Sequence, residues 1–404
     1  MLNNNHKNVL LLENIHPNAS SIYQNESFKV KTMDSGLSED ELCEQIQGVS
    51  ILGIRSKTRI TKKVIKSADK LLAIGAYCIG TNQIDLKCCS DNGIVVFNAP
   101  FSNTRSVVEL AFGEIIMLIR GVFEKSYQLH KGAWIKSADR NFEVRGKKLG
   151  IVGYGNIGSQ LSVLAEAIGM QIYFYDIDDK LVLGNARKCD TLNDLLAIAD
   201  VVTIHVDGRS ENKNLIGQKE FDLMKEGTVF LNLSRGFVVD IAALVKNIKS
   251  GKISGAAVDV FPKEPKGNNE KFFSELQNLP NVIITPHIGG STEEAQKNIA
   301  EFVSNKIVDF MFKGRTTLSV NFPSLQLPEI KSAHRLIHIH QNIPGILAKI
   351  NNILASNSIN IVGQYLKTNE HIGYVITDIC REYDREMITD IRDIPGTIRF
   401  RLLY

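Results

Sequence analysis

The chain has 404 residues, 44% of them hydrophobic and 23% charged, and 47 basic residues against 44 acidic ones leave a net charge of +3. This is an ordinary soluble composition with room for about two or three domains, and the near balance of charge, without a basic tract, excludes nucleic acid and membrane surfaces as expected partners. No apolar run approaches the length of a membrane span, and the opening MLNNNHKNVLLLEN lacks the pattern of a secretory signal, so a cytoplasmic location is expected.

In chain order, residues 9–12 read as a strand, and Ser38 with Glu41 forms a capping box for a helix to about residue 47. A strand at 50–54 is followed at once by Arg55, Ser56 and Lys57, a cationic cluster at a strand's carboxyl end, where open parallel sheets bind ligands. Strands at 71–74 and 94–97 lead into the loops GAYCIGTNQIDL and NAPFSNTRSVVEL. An apolar-periodic stretch then runs from Thr104 past Arg120 towards a fresh α/β series.

That series opens with KLGIVGYGNIGSQLSVLAEAIGMQIYFYD, residues 148–176. It reads as strand, tight turn, helix and strand, with Gly153, Gly155 and Gly158 in G-x-G-x-x-G spacing and Asp176 closing the second strand. The first glycine permits the turn, the second admits a pyrophosphate close to the backbone, and the third lets helix and strand pack closely. The phosphates would sit on the helix N-terminus. Asp176 would accept from the ribose hydroxyls and repel a phosphate there, which predicts NAD rather than NADP.

Further helices are expected at 192–199 and 242–250, and strands at 201–205, 229–231, 255–259 and 282–284. This alternation means a doubly wound parallel sheet. Loops after the last three strands carry Arg235 in NLSRG, Glu264 in VFPKEP and His287 in TPHIGGS. An arginine, a carboxylate and an imidazole on neighbouring strand ends suit oxidation of an alcohol next to a carboxylate. Arg235 would bind that carboxylate, His287 would take the hydroxyl proton, and Glu264 would hold the far ring nitrogen.

A long helix over 292–312 is expected to return the chain to its first domain. Residues 313–330, with two prolines and Gly314 near the start, read as a linker and a hinge. Strands at 335–340, 359–367, 372–379 and 397–402 and helices at 344–356 and 384–392 follow, the βαββαβ order of a ferredoxin-like module. Cys43, Cys78, Cys88, Cys89, Cys189 and Cys380 show no ligand spacing, nor do the nine histidines; no metal is expected.

GYGNIG, NLSRG followed by VVD, AAVDVFPKEP and TPHIGGSTEEAQ, in this order, resemble the D-2-hydroxyacid dehydrogenases. CIGTNQIDL, VVFNAPFSNTRSVVEL, the βαββαβ tail and the terminal RLLY narrow the resemblance to the branch that oxidises 3-phosphoglycerate to 3-phosphohydroxypyruvate, the first step of serine synthesis. The resemblance implies an α/β protein with a discontinuous substrate-binding domain (1–101 and 292–318), a Rossmann-type NAD-binding domain (102–291), a linker (319–330) and an ACT regulatory domain (331–404). It puts the family's catalytic trio on Arg235, Glu264 and His287. It adds cofactor contacts from Asn156, Ile157, Asp259, Gly289 and Gly290, and substrate contacts from Arg55, Ser56 and Asn103, with Arg55 and Lys57 facing the phosphate. It further implies feedback by L-serine bound between subunits at His340, Asn342 and Asn360, a homotetramer, and a packing role between subunits for Trp134.

The chain departs from the family at two places. Lys57 stands where close relatives have arginine, which makes the phosphate contact a point charge rather than a fork. HVDGRSENKN lacks the usual proline after His205 and Val206, so the adenine-side wall is expected to differ. Two other functions remain compatible with the residues: reduction of 2-oxoglutarate to 2-hydroxyglutarate, and a non-catalytic NAD-sensing scaffold.

Overall fold

The computed structural model describes residues 7–265, 270–328, 333–379, 383 and 385–403; Cys380 and Asp384 lie outside the described residues. The chain divides into two compact units, Asn103–Ala295 and a second that joins Met1–Ser102 to Gln296–Tyr404.

The joined unit begins with β1 (Asn8–Leu11), α1 (Pro17–Asn25), β2 (Lys29–Thr32), α2 (Glu39–Gln45), β3 (Ile51–Ile54), α3 (Lys62–Ser67), β4 (Ala73–Ala76), α4 (Leu86–Asp91) and β5 (Val95–Asn98). The strands form one parallel sheet in the order β2-β1-β3-β4-β5. The expected capping box is present: Glu41 N donates to Ser38 Oγ, and Ser38 N donates to Glu41 Oε2 at 2.8 Å. The sequence pattern passed over β2 because it is a mostly exposed edge strand without apolar alternation, held by its ladder to β1.

The other unit contains α5 (Thr104–Ile119), α6 (Val122–His130), β6 (Lys148–Val152), α7 (Asn156–Ala167), β7 (Gln171–Tyr175), β8 (Arg187–Lys188), α8 (Leu192–Ile198), β9 (Val201–Ile204), α9 (Gln218–Leu223), β10 (Thr228–Asn232), α10 (Ile241–Ser250), β11 (Ile253–Val258) and β12 (Val282–Ile284). The apolar stretch expected to run past Arg120 breaks at Gly121, whose φ of 57° ends α5 and starts α6. The sheet is parallel, in the order β12-β11-β10-β9-β6-β7-β8. Its direction of winding reverses between β6 and β9, and the strand ends at such a switch point form a ligand crevice. Buried side chains from α5, α7, β6, β7 and β10 fill one face, and those from α8, α9 and α10 fill the other.

The joined unit resumes along α11 (Glu293–Lys313), whose Val303, Ile307 and Phe310 are fully buried against the first sheet. The stretch expected to be a linker is docked instead. Asn321 Oδ1 accepts from Val96 N at 2.8 Å, Val320 N donates to Val96 O at 2.8 Å, and Phe322, Leu325 and Leu327 are buried. Its apolar side chains join the core, which a free tether's would not. Gly314, the expected hinge, packs on Ile337, and its carbonyl accepts from Tyr374 Oη at 2.8 Å.

The tail comprises β13 (His334–Gln341), α12 (Ile346–Ser356), β14 (Ile361–Thr368), β15 (Ile372–Ile379), α13 (Arg385–Arg392) and β16 (Thr397–Leu402), an antiparallel sheet ordered β14-β15-β13-β16. Arg335 and Asp378 are 1% and 0% exposed and form a forked pair, Nε to Oδ1 at 2.7 Å and Nη2 to Oδ2 at 2.9 Å, while Arg335 Nη1 donates to Lys313 O. Removing one partner of such a pair leaves a buried charge uncompensated, at a cost of about 3–5 kcal/mol. Asp378→Ala is therefore expected to destabilise this unit by that order; a denaturant midpoint equal to the parent's would show the pair to be energetically idle.

Candidate active site

Strands β10, β11 and β12 lie side by side, so the loops after them are neighbours. Two buried polar residues, one at the end of β10 and one next to the end of β11, shape these loops. After β10, Asn232 is fully buried; its Oδ1 accepts from Ser234 N (3.1 Å) and Ser234 Oγ (2.8 Å), and its Nδ2 donates to Arg235 O (3.1 Å). This side-chain turn presents Arg235. The next residue must be glycine, because a Cβ on Gly236 would overlap the backbone of Phe261 and Pro262 in the neighbouring loop.

After β11, Asp259 is 2% exposed. Its Oδ1 accepts from Thr285 Oγ1 (2.6 Å) and Ile288 N (2.8 Å), and its Oδ2 from Gly289 N (2.8 Å). The carboxylate thus binds the loop after β12 on both sides of His287, which is held in left-handed backbone with φ of 54°. That conformation is uncommon outside glycine and survives only where the surroundings impose it.

His287 Nδ1 meets Glu264 Oε2 at 2.9 Å, and Glu264 Oε1 accepts from Phe261 N at 3.0 Å. Both groups respond. The hydrogen bond to Glu264 raises the His287 pKa above its ordinary value against the opposing effect of burial. Burial would raise the Glu264 carboxyl, but the bonds from His287 and Phe261 hold it below the usual carboxylate range. The charge of Arg235 acts on both in the same sense, favouring the ionised carboxylate and the neutral imidazole. The expected trio is thus brought together, with Nε2 of a half-exposed imidazole left for a substrate.

The glycine turn lies in the same sheet. Gly153 has φ of 92°, and a Cβ there would lie 2.7 Å from His205 O on the neighbouring strand end. Gly158 contacts Gly153 O so closely that no side chain fits, whereas the Cβ direction of Gly155 opens into free space. Gly155 caps α7 without a side chain, so the amides of Asn156 and Ile157 at the helix start face outward towards that space. Asp176 accepts from Tyr154 N at 2.7 Å and Asp178 N at 2.9 Å. A dinucleotide fits this cradle: room at Gly155, free amides for its phosphates, and a carboxylate for its ribose.

Other expected residues fall as follows. Asn103 caps α5 and lies against Gly290. Arg55, Ser56 and Lys57 follow β3 in the joined unit. Asp259 has most of its carboxylate engaged by the histidine loop, and its proposed cofactor contact is left the remaining acceptor capacity of Oδ2. The departure expected at the adenine side also bears on the arginine, since a Cβ on Gly208 would lie 3.4 Å from Arg235 Nε.

Sequence reasoning missed Asn232, Thr285 and Glu114. The first has a readable signal, an asparagine two residues before a serine at a strand end. The last has none. Glu114, in α5, is 1% exposed, neither carboxyl oxygen has a partner, and burial followed by the charge of Asp259 pushes its pKa up to about 8. A carboxyl raised in the folded state costs nothing while both states are protonated and destabilises progressively as pH rises from its unfolded value to its folded one. Glu114→Gln is therefore expected to match the parent in stability near pH 4.5 and to exceed it by pH 8, on the order of 4 kcal/mol; thermal melts of both proteins across that range check this, and a pH-independent difference would refute it.

Comparisons with known proteins identify the relatives of this chain. Residues 112–289 match the family model of the D-isomer specific 2-hydroxyacid dehydrogenase NAD binding domain, and residues 336–399 that of the AHAS small subunit-like ACT domain. The D-3-phosphoglycerate dehydrogenase of Haemophilus influenzae is 49% identical over 400 residues, 98% of this chain and 97% of that one. The enzymes of that name from Escherichia coli and Dictyostelium discoideum are each 48% identical, covering 98% of this chain and 97% of theirs. Among solved structures, D-lactate dehydrogenase from Aquifex aeolicus, complexed with NAD and lactic acid, is 26% identical with a TM-score of 0.66, covering 78% of this chain and 100% of that one. The chain therefore belongs to the D-3-phosphoglycerate dehydrogenases, a branch of the NAD-dependent D-isomer-specific 2-hydroxyacid dehydrogenases that carries an ACT domain.

Proposed function

We propose that this enzyme oxidises the 2-hydroxyl of D-3-phosphoglycerate to 3-phosphohydroxypyruvate and is inhibited by L-serine. The observation that carries the chemistry is the Glu264–His287 pair beside Arg235 at adjacent strand ends. NAD, held at Gly153, Gly155, Asn156, Ile157, Gly158 and Asp176, supplies the hydride acceptor. Arg235 holds the substrate carboxylate. His287 takes the hydroxyl proton on Nε2, and Glu264 stabilises the resulting imidazolium through Nδ1. Arg55, Ser56 and Lys57 take the phosphate, with Lys57 as a point charge.

Serine regulation is supported by the tail. His340 is 4% exposed, its Nδ1 meets Gln341 O at 2.7 Å, and its Nε2 is buried without a partner. Asn342 lies just beyond it. Asn360 lies elsewhere: β14 begins opposite Ile379, whereas His340 pairs with Gly373. Six residues of strand, about 20 Å, separate the two positions, so an effector touching all three must draw Asn360 from a second copy. Exposed Trp134 (80%), Ile135 (58%) and Phe142 (55%) favour a further interface, and a tetramer would use both.

The reading is tested by NADH oxidation with 3-phosphohydroxypyruvate and with 2-oxoglutarate, each with and without L-serine; turnover of 2-oxoglutarate alone would overturn the substrate assignment. Because Glu264 raises the His287 pKa and oxidation needs the neutral ring, Glu264→Gln is expected to lower kcat and to move the acid limb of the oxidation profile to lower pH. An unmoved limb would deny the pair its role. Asn342→Ala is expected to raise the half-inhibiting serine concentration about tenfold, the effect of losing one hydrogen bond to a charged ligand; unchanged inhibition would place the effector elsewhere.

A further inference from the structure

Another buried carboxylate bonds the cationic loop after β3. Glu13, just past β1, is 6% exposed and left-handed, with φ of 63°, and Asn14 after it has φ of 51°. Two such residues in succession turn the side chain of Glu13 beneath the neighbouring strand end, where it meets a single target. Oε2 accepts from Lys57 N at 3.0 Å and Oε1 from Thr58 N at 2.8 Å. On the upstream side Gln83 Nε2 donates to Arg55 O at 2.7 Å and to Gly80 O at 3.2 Å. The backbone of the loop is thus gripped at both ends, while the side chains of Ser56 and Lys57 remain exposed.

The identity of the gripping group has a chemical consequence. Adjacent backbone N–H groups in a turn form an anion site, and here that site is filled by the protein's own carboxylate. A phosphate arriving at this loop finds side chains rather than amides, at positions set by the two clamps.

We propose that Glu13 and Gln83 are positioning residues that fix the Arg55–Ser56–Lys57 loop and thereby set the preference for a phosphorylated over an unphosphorylated 2-oxo acid. This rests on the assignment of that loop to the substrate phosphate. Glu13→Gln keeps the shape but turns an amide N–H₂ against a backbone N–H, breaking one of the two bonds.

The test compares 3-phosphohydroxypyruvate with hydroxypyruvate, the same oxo acid without its phosphate, as substrates for NADH oxidation. In Glu13→Gln, KM for the phosphorylated substrate is expected to rise about tenfold with kcat retained, while kcat/KM for hydroxypyruvate and NADH affinity stay at parental values. Gln83→Ala should shift KM in the same direction, and it decides the matter if Glu13→Gln does not yield folded protein. Equal losses on both substrates would reduce the clamp to a structural contact and overturn the proposal, as would no loss on either. Arg55→Ala and Lys57→Ala serve as controls. If they leave the phosphate preference intact, the substrate assignment falls and this inference with it; if they abolish it while Glu13→Gln and Gln83→Ala do not, only this inference falls.

Discussion

One buried carboxylate holds the loops past β11 and β12 of the NAD-binding unit in order. Asp259 accepts from Thr285, Ile288 and Gly289, and those bonds keep His287 in a backbone conformation that an imidazole-bearing residue adopts only under constraint. Without that grip the histidine loop would relax, and the 2.9 Å contact with Glu264 that tunes the ring would go with it. A side chain in a site is only as well placed as the groups behind it. In this chain those groups are polar, buried and hydrogen-bonded, which makes their geometry hard to change one residue at a time.

The same economy recurs in the two loops that flank it. Asn232 shapes the arginine turn from within, and the missing side chain of Gly236 lets that turn touch the loop bearing Glu264. Arg235, Glu264 and His287 then share one electrostatic neighbourhood, in which the carboxylate draws the imidazole towards protonation against burial and, more weakly, the guanidinium. The balance suits a base that must accept a proton in one direction of the reaction and return it in the other. Glu114, buried without a partner, shows the other side of this arrangement: burial first, and then the charge of Asp259, push its pKa up to about 8 and keep it protonated through neutral pH.

In the joined unit the same device recurs. Glu13 directs a buried carboxylate at the backbone of a cationic loop, whose Lys57 and Thr58 amides it accepts from. The ACT tail is tied to the rest of this unit through Arg335 and Tyr374 at the end of α11, and through the docked strap. The tail is therefore part of a packed body rather than the end of a loose tether.

The sequence by itself determined the class of fold, the glycine turn before α7 and the placing of Arg235, Glu264 and His287 just past neighbouring strands. These are written in local patterns: glycines at turn spacing, β-branched runs, and charged residues just past strand ends, where short-range sterics and periodicity decide the outcome. Expected strands such as 171–175 and 282–284 coincide with β7 and β12. Only tertiary structure decided the rest. Edge strand β2 is a strand because β1 offers it a ladder, and residues 313–327 are a strap rather than a linker because the core has room for Phe322, Leu325 and Leu327. Asn360 lies far from His340 because the two sit at opposite ends of β15, beside Ile379 and Gly373. The roles of Asp259, Glu114 and Glu13 depend on which backbone amides and charges lie within a few ångströms, and residues 26 to 145 positions apart in the chain meet only once the sheets have formed.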